Sequence, residues 1–143
     1  MKIKQICIFA FVLVLLGGCA ATGEKYSNLK ESIEPLSADM GRVIFYRDKS
    51  ILGAAITSDL YMNGEKVGRS VRGSFFYVDH EADNIEVAAT TETKKKLTFT
   101  LEAGETKYVR TKVGFGLLVG RIIPTLVSKE VGESALPDLA YIK

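Results

Sequence analysis

The sequence predicts an all-β protein, an antiparallel β-sandwich, and three observations carry that expectation. Ile85, Val87 and Ala89 alternate with Glu86, Ala88 and Thr90, and Leu97, Phe99 and Leu101 alternate with Thr98, Thr100 and Glu102, the period of half-buried strands. Asn63-Gly64 sits between two short strand-like runs and is a strong hairpin signal, because both turn positions need positive φ. Before the C-terminus no segment carries a helical period, and turn residues recur at the spacing of a sandwich.

The elements follow in order from Gly41. Arg42-Val43-Ile44-Phe45-Tyr46-Arg47 is β-branched and aromatic with apolar residues on both faces, as a buried strand requires. Asp59 to Met62 and Lys66 to Arg69 flank the Asn63-Gly64 turn, and Ser74 to Val78 forms a dense aromatic strand. The strands at Ile85 and Leu97 are expected to form a hairpin joined through Thr93 to Lys96. Ala103-Gly104-Glu105 turns the chain into Thr106 to Val113, where Val109, Thr111 and Val113 share a face. Val113 to Val127 is nearly uncharged and glycine-rich. It reads as a turn at Gly114 to Gly116 followed by a last core strand running on to Val131, the alternative being an exposed apolar loop that marks a partner or membrane contact. Gly116 and Gly120 have small-x-x-x-small spacing, but about fifteen residues holding Arg121 and Pro124 are too few to span a bilayer. Gly132 to Ala140 reads as a short C-terminal helix limited by Pro137.

The first residues have a different logic. Lys2 and Lys4 precede an apolar run from Ile6 to Leu16, shorter than the roughly 20 residues a transmembrane helix needs, and small Gly17-Gly18 close it. Residues 1–18 therefore read as a cleaved signal peptide. Leu16-Gly17-Gly18-Cys19 resembles the lipobox of bacterial lipoprotein precursors, which implies acylation of Cys19 with diacylglycerol and a further fatty acid such as palmitate. Two or more acyl chains, each buried methylene contributing about 0.8 kcal/mol, make such an anchor effectively permanent. Ala20, in place of the Asp that retains such proteins at the inner membrane, implies the periplasmic face of the outer membrane.

Residues 19–40 then read as the lipidated Cys and a polar tether, with a frayed helix over Glu24 to Ile33, and residues 41–143 as the domain. As a flexible chain this tether would have an r.m.s. reach of roughly 25 Å. Losing Lys2 and Lys4 lowers the 19 cations to 17, equal to the 17 Asp and Glu, so the mature chain is formally neutral and gives no basic patch for nucleic acid. Of the 2 cysteines, Cys7 leaves with the signal and Cys19 is consumed by the anchor, so the domain must be held by its core alone.

Gly41-Arg42-Val43-Ile44-Phe45-Tyr46-Arg47, Tyr61 to Gly68, Gly73-Ser74-Phe75-Phe76 and Glu102 to Arg110, behind a lipobox and polar tether, resemble small bacterial lipoproteins of the domain of unknown function 2846 family. The resemblance implies a prealbumin-like or immunoglobulin-like sandwich and no known enzyme activity, and it transfers no functional residue beyond Cys19.

Few residues suggest other chemistry. His80, the single histidine, stands among Asp79, Glu81 and Asp83, but the run lacks both the convergent N or S donors of a transition-metal site and the alternating oxygens and Gly of a Ca²⁺ loop. It reads as a solvated acidic turn, with no metal or cofactor expected. Ser58, Ser70 and Ser74 lie in no G-x-S-x-G elbow, so no catalytic residue is expected. Lys94-Lys95-Lys96 reads as a charged hairpin tip that discourages edge pairing, the alternative being contact with anionic lipid. The sequence thus points to a non-enzymatic structural or interaction module of the envelope, held to the membrane through Cys19 and meeting an envelope protein partner. A carrier of lipid or another hydrophobic ligand is the second reading.

Overall fold

The computed structural model describes residues 21–115 and 120–142, the side chains of residues 92–95 excepted. The signal segment, Cys19 and residues 116–119 lie outside the described residues. The chain is a β-sandwich. Among the described residues its strands are β1 (Met40–Arg47), β2 (Ser58–Met62), β3 (Glu65–Ser70), β4 (Ser74–Glu81), β5 (Asp83–Ala89), β6 (Glu92–Leu101), β7 (Thr106–Gly114), β8 (Arg121–Val127) and β9 (Ala140–Tyr141). Two short helices, α1 (Tyr26–Leu29) and α2 (Lys129–Ala135), accompany them.

One sheet has the order β8-β7-β1-β4-β9 and the other β3-β2-β5-β6. Their facing sides enclose the main core of Val43, Phe45, Leu60, Phe76, Val87, Ile122 and their neighbours, with the Phe45 and Phe76 rings stacked 4.9 Å apart. The sandwich expectation holds with one difference: the five-stranded sheet is mixed. β1 pairs with β4 antiparallel but with β7 parallel, and β9 lies parallel to β4. Parallel neighbours need a long crossover rather than a tight turn, and local alternation carries no trace of such a pairing.

The Asn63-Gly64 hairpin forms as expected between β2 and β3, with φ of 49° and 85° at the two turn residues. The next hairpin turns earlier than expected, at Thr90-Thr91 rather than Thr93 to Lys96. Thr91 is tied there because its hydroxyl accepts from Ile122 N–H at 2.8 Å and its own N–H donates to Ser58 Oγ at 3.4 Å. The lysine run therefore lies along β6 instead of at a tip, and Lys96 pairs with Glu86 at 2.8 Å. Pro124 is tolerated in β8 because that strand is at a sheet edge.

β8 stops at Val127 instead of continuing to Val131, because Ser128 caps α2 by accepting from Val131 N–H, with Glu130 in the first turn. The C-terminal helix consequently starts before Gly132 and ends before Pro137.

A second cluster covers the outer side of the five-stranded sheet: Ile44, Tyr46, Phe75, Tyr108, Leu136 and Leu139, joined by Tyr26 and Leu29. The segment expected to be a tether thus contributes to the fold. Tyr26 N–H donates to Leu139 O at 2.9 Å, Tyr141 N–H to Glu24 O at 2.8 Å, and the Tyr26 ring meets Phe75 edge-on. Polar composition hid this docking, since only Tyr26 and Leu29 carry the apolar contact. Ser70 and Thr111, one from each sheet, share a buried hydroxyl hydrogen bond of 2.7 Å between the layers.

Gly132 of α2 lies directly on Tyr108, where an added Cβ would meet the ring's Cγ and Cδ1 and the Tyr108 Cβ. Ala is the better helix former by about 1 kcal/mol, but these rigid near-backbone atoms cannot swing aside. Gly132→Ala is therefore expected to destabilise the fold by about 1–3 kcal/mol in urea unfolding, against its helix propensity.

Burial, then the nearby Glu133 carboxylate, pushes the Tyr108 hydroxyl up to about 12, from the ordinary value near 10. A raised value favours the protonated form in the fold, so this contribution is complete below pH 10 and is lost as pH rises towards about 12. Stability measured by urea unfolding should fall across that window, and Tyr108→Phe should make the fall shallower.

Candidate functional site

Strand geometry separates the residues around the single histidine. β4 runs through Asp79 and His80 to Glu81, so the expected acidic turn is a strand instead, and His80 projects to the face opposite Asp79 and Glu81. His80 pairs in register with Gly41, and its Nδ1 lies 2.8 Å from Glu81 O. Asp79 is engaged by Arg42 through two hydrogen bonds, 2.6 Å from Nε and 2.7 Å from Nη2. The same guanidinium donates to Glu34 O and lies 4.6 Å over the Tyr77 ring, stitching the N-terminal segment to the sheet. This pairing raises the Arg42 pKa, first through its hydrogen bond to Asp79. Among the described residues no group of three or more His, Cys, Asp or Glu is placed to hold a metal. Ser70 and Ser74 are buried in hydrogen bonds to Thr111 and to Val71 O, and Ser58 Oγ donates to Asp59 O.

The ends of the sandwich differ. At one end β1 runs out into the loop 48–57, β7 runs out beyond Gly114, and the turn 71–73 opens β4. The loop 48–57 is organised by Arg47, whose side chain is buried, the residue being 4% exposed. Its guanidinium donates to Ile56 O at 2.5 Å and Gly53 O at 2.6 Å. Burial lowers the Arg47 pKa, with the nearby Arg72 charge adding to the effect. Among the described residues its hydrogen-bond partners are these backbone carbonyls and not a carboxylate, an unusual way to repay the desolvation of a cation that holds a loop. Arg72 Nε reinforces it from outside by donating to Lys49 O and Ser50 O.

This loop packs on the other chain segments at the same end. A Cβ at Gly53 would stand 2.6 Å from Val113 Cγ1, and Gly120 is pressed just as closely against Ile56. Beyond this packed base, Ile51, Leu52 and Phe115 project into solvent with 82%, 56% and 85% exposure. Beside them is an open cleft of about 180 Å³ lined by residues including Arg47, Asp48, Leu52, Arg110, Lys112 and Val113. Arg110 pairs with Asp48 through Nη2, while its buried Nε has no hydrogen-bond partner among the described residues. The cleft is small against the roughly 300–1,000 Å³ of typical ligand pockets. What this end can do chemically is present apolar tips and cations together to another surface.

Arg47, Ile51 and Leu52 escape sequence reading. The stretch Ile51-Leu52-Gly53-Ala54-Ala55-Ile56 was legible as apolar residues without strand alternation between two strands, the one signal that could have marked it. Phe115 falls in the segment expected to be a turn and core strand, and both readings of that segment are represented: Ile122 and Pro124 enter the core and Phe115 stays outside.

The family described as "Protein of unknown function (DUF2846)" matches residues 37–120, which span β1 to β7. The chain belongs to the DUF2846 family. An uncharacterized protein of Haemophilus influenzae is 31% identical over 145 residues, an alignment that covers 96% of this chain and 85% of that relative. No solved structure matches the chain. The DUF2846 match includes the loop 48–57 and Phe115 as well as the strands, so the exposed tips lie within the family region.

Hydrogen bonds to a charged group contribute about 1.5–3 kcal/mol each when formed in a protein. Replacing Arg47 with Leu is therefore expected to release the loop selectively. Amide exchange at Ala54 and Ile56, which donate within the loop to Ile51 O and Gly53 O, should accelerate more than exchange in the centre of β1.

Proposed function

We propose that this DUF2846 protein is a cell-envelope lipoprotein, anchored by acyl chains on Cys19, whose β-sandwich serves as a non-enzymatic interaction module on the periplasmic face of the outer membrane. The observation that carries the reading is the loop end, where Ile51, Leu52 and Phe115 are exposed on a packed base. Isolated exposed apolar residues are ordinary, but three on adjoining segments at one end form a contact surface. The lipobox-like Leu16-Gly17-Gly18-Cys19 supplies the anchor.

The docked N-terminal segment sharpens the geometry of such an anchor. Gly23 already lies against Tyr141, so only four peptide units separate the domain from Cys19. Fully extended, they reach at most about 14 Å. A domain held that closely to a bilayer works at the membrane surface and not across the periplasm. The carrier reading would place an apolar cavity beneath residues 114–127, whereas Ile122 and Pro124 in that stretch are packed into the core, which favours an interaction module.

Cys19→Ser is expected to abolish incorporation of labelled palmitate and to move the protein from the membrane to the soluble fraction. Continued labelling of that variant would refute the anchor.

A further inference from the structure

We infer that the loop end of the sandwich docks on an anionic phospholipid surface, with Ile51, Leu52 and Phe115 entering the acyl boundary and the cations around them meeting lipid phosphates. The inference rests on the interaction-module reading and names its partner. Three features of the molecule converge on it.

The apolar residues are tips. Ile51 and Leu52 project from the loop 48–57 and Phe115 from the end of β7, and Gly53 on Val113 and Ile56 on Gly120 hold these described segments together, so the side chains can leave water without any rearrangement of the fold. The charges around them are of the complementary sign. Lys49 adjoins the first tip, Lys112 and Arg121 lie at the ends of β7 and β8, and all three are exposed. Arg47, buried on backbone carbonyls, and Arg110, paired with Asp48, line the cleft beside the tips. Asp138, its carboxyl held low first by the hydrogen bond from Lys25, lies close enough to Lys49 to be lowered by that charge as well. Lys49, Lys112 and Arg121 outnumber the carboxylates of Asp48 and Asp138 at this end, and an excess of cations beside apolar tips matches a phosphate layer over hydrocarbon.

The opposite end of the sandwich has the reverse charge. Glu65 follows the Asn63-Gly64 turn, Glu81 and Asp83 flank the turn from β4 to β5, and Glu102 and Glu105 flank the turn into β7. An anionic surface therefore attracts one end and repels the other, which selects the orientation with the tips down. The N-terminal segment runs antiparallel to β9, so from Lys25 back to Gly23 it leads away from the loop end, and the four peptide units between Cys19 and Gly23 must turn back for the tips to face the anchoring membrane.

The chain contains no tryptophan, so Phe115→Trp creates a single reporter at a position where a larger ring has solvent to occupy. The full lipidated protein carrying Phe115→Trp is reconstituted into vesicles of phosphatidylcholine with or without phosphatidylglycerol, each with brominated acyl chains. Expected are a blue-shifted emission and strong quenching on the phosphatidylglycerol vesicles, with little of either on phosphatidylcholine alone. Each cation near an anionic surface is worth about fivefold in partitioning, so Lys49→Glu combined with Lys112→Glu should reduce the quenched fraction by well over tenfold. Glu81→Lys, a reversal at the far end, should lower it far less than the paired lysine reversal.

Leu52→Trp provides a second reporter from the other loop, and circular dichroism checks that each variant is folded. Unquenched emission from both folded reporters on anionic vesicles would overturn the inference, as would equal quenching on neutral vesicles. Crosslinking of the same positions to an envelope protein, with no lipid quenching, would also overturn it in favour of a protein partner. Palmitate labelling of Cys19 is scored separately, so an anchored protein with dry tips rejects the docking alone, and an unlabelled protein with quenched tips rejects the anchor alone.

Discussion

β1 is buried on both faces, and most of the architecture answers that constraint. Val43 and Phe45 enter the core between the sheets, while Ile44 and Tyr46 point the other way and are equally hidden from water. A half-exposed sheet would leave that outer face wet, and each large apolar side chain left in water forgoes about 1.5–3 kcal/mol. The cover comes from the described residues before β1 and after β8. α1 brings Tyr26 and Leu29, while α2 and the turn after it bring Leu136 and Leu139. β9 then closes the edge by pairing with β4, and the N-terminal segment pairs in turn with β9. Residues 24–29 and 136–141 are therefore structural parts of the sandwich.

The opposite logic rules the loop end. There the chain invests a buried guanidinium, Arg47, in holding carbonyls of a loop whose own apolar side chains remain outside. Burial of a cation on neutral carbonyls is costly, and leaving Ile51 and Leu52 in water gains nothing for folding. A fold optimised for stability alone would collapse such a loop onto its core. Maintaining it in a fixed, open form is what a contact surface requires, because ordering the loop beforehand removes that entropy cost from the binding step.

The strands were legible because their signals are local. Two-sided apolarity marked β1, Asn63-Gly64 marked the β2-β3 turn, and simple alternation marked β5 and most of β6. The misplaced features depend on distant partners. The turn at Thr90-Thr91 is set by Ser58 and Ile122, which lie more than 30 residues away in the chain. Ser128 could have marked the start of α2, but the preceding apolar run suggested a longer strand. At the candidate site the same division holds. Proximity in sequence drew attention to Asp79, His80 and Glu81, yet a strand places neighbours on opposite faces and Arg42 takes up Asp79.

By itself the sequence determined the β-sandwich, the family, the positions of most strands and the expectation of an acylated Cys19, since each rests on residues adjacent or two apart along the chain. Only the tertiary structure decided the mixed order of the larger sheet, the docking of residues 24–29 and the meeting of Ile51, Leu52 and Phe115 at one end. Parallel pairing of β1 with β7 brings together residues more than 60 positions apart, so the loop 48–57 lies beside the end of β7 and Phe115. That neighbourhood arises from how two faces of one strand are buried, a global requirement that no local pattern encodes.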